Sequence, residues 1–175
     1  MENSIKSSAI NYGLYLGGLL SLITVAIYAI NLKLMVNMWL GIGLLLVLIG
    51  FGVVSTAKSK SIMEGFLSFK QAFSSYFITV AIGIIISTVI SAILFNFIDP
   101  EAAEQVKQLT VESTISMMEG FNAPADTIAQ AVDNIESQNQ YSVINLLKSL
   151  AMGLLFQAVI GLIVAAIMKK KPENA

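Results

Sequence analysis

The sequence predicts an all-α integral membrane protein, a four-helix bundle with an external amphipathic helical hairpin between its third and fourth membrane spans. Two observations favour this fold class. The chain of 175 residues is 56% hydrophobic and only 12% charged, and a soluble core of this size does not bury so much apolar surface. The charge is also segregated, because eight of the eleven carboxylates lie between Asp99 and Glu136. Apolar runs interrupted by one acidic insert are typical of a multi-pass membrane protein.

Four apolar runs are long enough to cross a hydrocarbon core about 30 Å thick, which takes about 20 helical residues. We place the spans at about residues 9–30, 36–54, 73–98 and 143–168, so that residues 1–175 form a single membrane domain. The first run is longer than the apolar part of a signal peptide, and no small-residue cleavage site closes it. We therefore expect it to be retained as a span. The short spacer at residues 31–35 allows only a tight hairpin between the first two helices.

The lysine distribution predicts the orientation of the spans. With four spans, both termini and the connection at residues 56–72 share one side of the membrane, and seven of the ten lysines fall on that side. These are Lys6, Lys58, Lys60, Lys70, Lys169, Lys170 and Lys171. Because basic residues are enriched on the cytoplasmic side, we predict cytoplasmic termini (N-in, C-in). The acidic segment at residues 99–142 is then external.

Small residues recur at every fourth position in three of the spans. They are Ala9, Gly13, Gly17 and Ser21 in the first span, Thr79, Gly83, Ser87 and Ser91 in the third, and Ser149, Gly153, Gly161 and Ala165 in the fourth. Residues four apart share a helix face, and small ones let helix backbones approach closely in lipid. These faces are expected to pack the four helices together. The alternative is a homodimer through the Gly13-x-x-x-Gly17 motif.

Gln157 interrupts the stripe of the fourth span and is the one amide well inside the bilayer. We expect its side chain to hydrogen-bond to Ser87 or Ser91 on the third span. The alternative is a polar substrate site, formed with the hydroxyl face that also includes Thr79, in a small carrier or channel component. Ion-coupled carriers usually keep a charged group deep in a span, and this sequence places none there.

Aromatic and basic residues mark the predicted cytoplasmic interface. Ser68-Phe69-Lys70-Gln71 matches the capping box that begins a helix, so the third helix is expected to start at Ser68. The residues interpreted as interfacial anchors are Phe69, Lys70, Phe73, Lys169, Lys170 and Lys171. The alternative for this turn is a docking surface for a cytoplasmic partner.

The acidic insert has the pattern of two amphipathic helices. Asp99-Pro100-Glu101 is a strong helix start, and Gly120 with Pro124 separates the two helices. The carboxylates of the first helix share one face, whereas apolar residues lie broadly opposite. The apolar residues interpreted as a partner face are Val106, Leu109, Met117, Phe121, Ile128, Val132 and Ile135.

The amino-acid composition lacks the side chains that most kinds of catalytic and metal site require. The chain has no Cys, no His and no Arg, so thiolate nucleophiles, imidazole bases, the usual zinc ligand sets and bidentate phosphate clamps are all missing. The net charge of −1 argues against nucleic-acid binding. The carboxylate spacings match no calcium loop. We therefore predict no catalytic residue, no metal site and no cofactor, and we do not expect an enzyme.

Two further motifs complete the pattern. Gly65-x-x-Ser68-Phe69-x-x-Ala72-Phe73 opens the third span, and Asn96-Phe97-Ile98-Asp99-Pro100-Glu101 closes it. With the acidic insert and the terminal lysines, this order resembles the bacterial membrane family catalogued as domain of unknown function 4199, over nearly the whole chain. The resemblance implies a bacterial inner-membrane protein with a periplasmic insert, and it carries over no catalytic or ligand residues.

These features together predict a function in assembly or binding rather than in catalysis. We expect a non-enzymatic membrane protein that contacts the lipid bilayer and associates with itself or with a partner in the envelope. The alternative is a small carrier or channel component with a polar site around Gln157.

Overall fold

Residues 2–170, which the computed structural model describes, form six α-helices and no β-strand. The helices are α1 (Glu2–Ile30), α2 (Met38–Ile62), α3 (Phe69–Ile93), α4 (Pro100–Gly120), α5 (Ala125–Glu136) and α6 (Val143–Met168). A 3₁₀ turn, Leu32–Val36, joins α1 to α2, and a π turn, Leu94–Ile98, ends α3. Four helices are long and apolar enough to cross a membrane: α1, α2, α3 with its π turn, and α6. The all-α prediction with four candidate spans is confirmed.

The central element of the bundle is α3, on which α1, α2 and α6 all pack. Thr79 of α3 lies beside Ala9 of α1, and farther along Phe95 lies beside Tyr28, so α1 and α3 run parallel. Each spanning helix therefore crosses the bundle in the direction opposite to that of the spanning helix before it. The bundle has a terminal end, where α1 begins and α6 ends, and a hairpin end, where α4 and α5 lie.

Side-chain caps set the beginnings of the helices. Ser68 and Gln71 form a complete capping box at the start of α3. Asp99 accepts a hydrogen bond from the amide of Ala102 and precedes Pro100 at the first position of α4. Both predicted starts are confirmed, because each depends only on residues within one turn of the cap.

The second helix is longer than its apolar run. The sequence predicts that the second span ends near residue 54, but α2 continues to Ile62. Ser55 and Ser59 of this extension are fully buried, and the Thr56 hydroxyl donates to the carbonyl of Gly52. Hydropathy does not detect this stretch, because its inward face is polar. The chain then turns with positive φ angles at Glu64 (56°) and Gly65 (91°).

Each end of the bundle is closed by its own cluster of buried side chains. At the terminal end the cluster contains Ile5, Leu67, Ala72 and Ala165. At the hairpin end it contains Leu94, Phe95, Ala102, Ala103 and Val106, with Tyr28 and Tyr141 packed against it. Large apolar side chains on the outer faces of α1, α2, α3 and α6 remain exposed, as expected for helices that face lipid.

Candidate functional site

A chain of four buried hydroxyl groups connects α2 to α3 and α1. Ser59 Oγ lies 2.7 Å from Ser75 Oγ, which lies 3.3 Å from Ser55 Oγ. Ser55 Oγ in turn lies 2.7 Å from Thr79 Oγ1. The Thr79 hydroxyl donates to the carbonyl oxygen of Ala9 at 3.0 Å. All four hydroxyl-bearing residues are fully buried.

The spacing of these residues explains the chain of hydroxyls. Ser55 and Ser59 are four apart on α2, and Ser75 and Thr79 are four apart on α3, so each pair shares one helix face. Where these faces meet, every hydroxyl finds another as its partner, which removes the cost of burying polar groups in an apolar medium. Of these four residues, only Thr79 belongs to a packing stripe predicted from the sequence. The sequence signal for the other three is the pair of hydroxyl residues four apart on α2, which matches the pair four apart on α3.

A second buried polar contact joins α3 to α6. The Tyr76 hydroxyl donates to Gln157 Oε1 at 2.8 Å, and Gln157 is only 2% exposed. The Tyr76 ring lies between two glycines: a Cβ at Gly52 would lie 2.5 Å from Cδ2, and a Cβ at Gly161 would lie 2.8 Å from Cδ1. The two glycines therefore make the slot that the aromatic ring occupies.

The predicted partners of Gln157 are wrong. Gly161 of α6 lies against Tyr76, so Gln157 reaches the first half of α3. Ser87 is eleven residues beyond Tyr76, a rise of about 16 Å along the helix, and Ser91 lies farther still. The Tyr76 side chain is long enough for its hydroxyl to reach the Gln157 amide on α6. A serine side chain is too short to span this distance.

The residues of the predicted polar carrier site are separated in the fold. Thr79 belongs to the hydroxyl chain, Gln157 pairs with Tyr76, and Ser91 lines a cavity of about 180 Å³ near the hairpin end, between α1, α2 and α3. That cavity is lined mostly by apolar residues and does not include Gln157. The arrangement holds helices together and offers no shared polar surface to a substrate.

The glycines of α1 lie against side chains of α3, and a glycine of α3 lies against a side chain of α1. A Cβ at Gly13 would lie 2.8 Å from Ile82 Cβ, one at Gly17 would lie 2.8 Å from Ile86 Cβ, and one at Gly83 would lie 2.6 Å from Leu16 Cγ. The Gly13-x-x-x-Gly17 motif is thus used within the chain, so the same face does not pair two copies.

The remaining small residues of the predicted packing stripes differ among themselves. Ala9 is fully buried beside Thr79. Ser21 Oγ is buried and has no hydrogen-bond partner in the described part of the chain. Gly153 does not pack as predicted, because a Cβ there would meet no atom within 4 Å. No neighbouring helix of the described chain is in close contact with α6 at this position.

The hairpin end is held by an aromatic and amide contact between the π turn after α3 and Tyr141, which precedes α6. Asn96 in the π turn donates one amide hydrogen to the carbonyl of Ala92 at 2.9 Å and the other to the carbonyl of Tyr141 at 2.8 Å. The Phe95 and Tyr141 rings are 4.1 Å apart between centroids. Burial raises the pKa of Tyr141 to about 12. The π turn therefore orients the backbone that leads into α6.

Asp99 joins α1 to the start of α4. The Tyr28 hydroxyl donates to Asp99 Oδ2 at 2.8 Å, and the amide of Ala102 donates to Oδ1 at 3.0 Å. These two hydrogen bonds, the first being the larger cause, lower the pKa of Asp99 below its usual value. The carboxylate stays ionised and fixes the direction in which the hairpin leaves the bundle.

The residues of the predicted partner face divide into three groups. Val106 is 2% exposed and packs inside the hairpin-end cluster, so its assignment to an accessible face is wrong. Leu109, Ile128, Val132 and Ile135 are half-buried. Met117 and Phe121 are 49% and 80% exposed at the far end of α4. Among the described helices, α5 packs on α4 alone.

The carboxylates of the hairpin are spread along its surface. Glu104 forms an ion pair with Lys107 at 2.9 Å. Within residues 2–170, no three carboxylates come close enough to hold a metal ion. Because these carboxylates are spread over the solvated faces, the exposed apolar side chains at the far end of α4 are the feature that distinguishes the hairpin surface.

The predicted interfacial anchors gather at the terminal end. Lys169 Nζ lies 6.0 Å from the centroid of the Phe69 ring, and Lys170 Nζ lies 5.9 Å from that of Phe66. Phe73 stacks on Phe77, with centroids 5.6 Å apart. Lys70 is exposed, and Lys171 lies outside the described residues. Aromatic rings beneath ammonium groups suit the boundary between lipid and water.

Comparison with known proteins places the chain in a family. A family model described as "Protein of unknown function (DUF4199)" matches residues 11–170. The chain belongs to this family. No curated protein and no solved structure matches the chain. The match begins at Asn11, in the third turn of α1, and ends just beyond α6. It therefore covers most of the bundle, the four buried hydroxyl groups, the Tyr76–Gln157 pair and the α4–α5 hairpin.

Proposed function

We propose that this protein is a non-enzymatic bacterial inner-membrane protein that presents the α4–α5 hairpin to a partner in the periplasm. The observation that carries the proposal is the exposure of Met117 and Phe121 at the far end of α4. Exposed apolar side chains on an otherwise polar hairpin mark a binding surface. Methionine adapts to irregular surfaces, and an aromatic ring supplies much contact area.

The way the hairpin is held supports this proposal. Ala102, Ala103 and Val106 bury the first turns of α4 in the hairpin-end cluster, and Asp99 caps the helix. The far end of α4 and all of α5 lie beyond this attachment. A surface that is held rigidly loses little conformational entropy when it binds.

The charge distribution supports the orientation in the proposal. Lys169 and Lys170 lie at the terminal end, whereas the acidic helices lie at the other. Basic residues are retained on the cytoplasmic side. The termini are accordingly proposed to be cytoplasmic and the hairpin periplasmic.

Cysteine labelling tests the orientation, because the chain contains no natural cysteine. Phe121→Cys at the hairpin is expected to react with a membrane-impermeant maleimide in intact spheroplasts. Lys58→Cys, exposed at the terminal end, is expected to react only after the membrane is permeabilised. The reverse pattern would show that the protein is inserted the other way.

Photo-crosslinking tests the binding surface. A crosslinking amino acid at Met117 is expected to give a discrete protein adduct in cells, and Phe121→Ser in the same chain is expected to abolish it. The matched control places the crosslinker at Gln130, which is exposed on α5. Equal adducts from Met117 and Gln130, or an adduct that survives Phe121→Ser, would contradict docking at this surface.

A further inference from the structure

One face of α1 has heptad spacing and packs against nothing in the described chain. The positions alternate four and three apart: Ser4, Ser8, Asn11, Tyr15, Gly18, Leu22 and Val25. Projected at 100° per residue, they fall within an arc of about 100°. All are exposed except Ser8, which is half-buried. We call this set the α1 seam; it lies opposite the face that packs on α3.

Asn11, the one amide of the seam, lies inside the predicted first membrane span at about residues 9–30. The Ala9 carbonyl is level with Thr79, which is ten residues, or about 15 Å, beyond the start of α3. Asn11 lies two residues beyond Ala9, in a helix whose apolar stretch is long enough to cross a membrane. The exposed amide of Asn11 therefore faces a medium that offers no hydrogen bonds, which is costly unless another protein group covers it.

We propose that the α1 seam binds the α1 seam of a second copy, forming a parallel two-fold symmetric dimer. Two copies inserted in the same direction bring identical residues to the same depth, so Asn11 meets Asn11. An amide both donates and accepts, which makes this contact self-complementary. The hydrogen-bonding groups of the seam thus select a second copy over bulk lipid.

The shape of the seam is compatible with this partner. A Cβ at Gly18 would meet no atom within 4 Å, so the backbones can approach there. Toward the N-terminus this face of α1 is open and polar. Its residues there are Asn3, Ser4, Ser7, Ser8, Asn11, Tyr12 and Tyr15. The alternating spacing of four and three is that of a left-handed helix pair, in which one buried Asn sets the register. Leu22 and Val25 are the aliphatic positions of the seam.

The seam is independent of the hairpin surface. Gly13 and Gly17 are occupied by Ile82 and Ile86 of the same chain, so the dimer uses the opposite face of α1. Failure of the dimer leaves the proposed docking at Met117 and Phe121 untouched, and the reverse is also true.

Disulfide crosslinking in native membranes tests the geometry. Single Asn11→Cys, Tyr15→Cys and Gly18→Cys variants of the cysteine-free chain are expected to form covalent dimers at least about fivefold more efficiently than controls off the seam. The controls are Ile10→Cys and Leu19→Cys, which are also exposed on α1 but lie outside the arc. Equal crosslinking at control and seam positions would overturn the proposal.

A second measurement tests the role of the amide. In proteoliposomes, Asn11→Leu is expected to raise the dimer dissociation constant, measured by energy transfer between labelled copies, by about five- to tenfold. Asn11→Gln is expected to stay near wild type, and Gly18→Leu is expected to weaken the dimer by blocking close approach. At dilutions where the protein is monomeric, all three should keep the wild-type melting temperature, because these positions are exposed in one copy.

Two results would overturn the dimer. One is a monomeric wild-type protein at every protein-to-lipid ratio. The other is a seam crosslink made only to a different protein, which would show that a heterologous helix covers the face.

Discussion

At the scale of single residues, glycine has opposite roles at two positions of α2. Gly52 faces the Tyr76 ring, which fills the space that a Cβ would need, whereas a Cβ at Gly50 would meet no atom within 4 Å. The same residue type is thus required at one position and dispensable two residues earlier. Only the position of Tyr76 on another helix distinguishes them.

This contrast gives a matched pair of substitutions. Gly52→Ala is expected to lower the free energy of unfolding by about 1–3 kcal/mol, because the added methyl group collides with a ring that Gly161 confines from the other side. Gly50→Ala is expected to raise it by about 0.4–1 kcal/mol, because alanine restricts the unfolded chain. Unfolding in detergent micelles measures both changes. Equal effects at the two positions would contradict the slot.

At the scale of elements, the junction between α3 and α4 decides how the hairpin is presented. The π turn places Asn96 where its amide reaches the carbonyl of Tyr141, and the next turn places Asp99 at the start of α4. A π turn inserts one extra residue into the helical repeat and changes the direction of the side chains that follow it. The junction therefore positions α4 and α6 together.

The carboxylate of Asp99 makes this junction sensitive to pH. Its pKa is lower in the folded protein than in the unfolded chain, so its contribution to stability is complete above the unfolded value of about 3.9. The contribution is lost as the pH falls through the folded pKa. We expect the melting temperature to decrease in that acidic range.

Asp99→Asn isolates this effect, because asparagine also caps helices but does not titrate. The variant is expected to lose less stability than wild type as the pH falls from about 5 to about 2. This is roughly the range in which an Asp carboxylate with a lowered pKa becomes protonated. Circular dichroism melting in micelles at each pH measures the difference. Glu112→Gln, which removes an exposed carboxylate of α4, should keep the wild-type profile. Parallel profiles for wild type and Asp99→Asn would contradict the role of the cap.

At the scale of the whole molecule, the chain closes on itself at the terminal end. The amide and carbonyl of Leu67 form two hydrogen bonds, each 2.9 Å long, with the carbonyl and amide of Lys170. The Leu67 side chain is 1% exposed, in a cluster with Ile5 and Ala165. One residue of the α2–α3 turn thus joins the beginning of α1 to the end of α6.

Leu67→Ala is expected to destabilise the whole bundle by about 2–5 kcal/mol, since it leaves a cavity where three helix ends meet. Phe66→Ala is the control, because Phe66 is the exposed neighbour at 39%, and it is expected to cost much less. Hydrogen exchange at both ends of the chain, together with thermal unfolding, measures the effect. A loss confined to the α2–α3 turn would show that the closure is only local.

The sequence by itself determined the features that depend on neighbours along the chain. Four spans followed from apolar runs, because transfer into a hydrocarbon core depends on local composition. The starts at Ser68 and Asp99 followed from caps completed within one turn. The family followed from short motifs at the two ends of the third span.

Only the tertiary structure decided which faces meet. In the fold, Gln157 pairs with Tyr76, and Val106 is buried. The polar end of α2 forms the hydroxyl chain with α3, and the α1 seam remains uncovered. These outcomes depend on the rotation and depth of each helix against its neighbours, which hydropathy does not encode. In lipid, apolar surface alone does not choose partners, so close glycine contacts and shared hydrogen bonds made the choice.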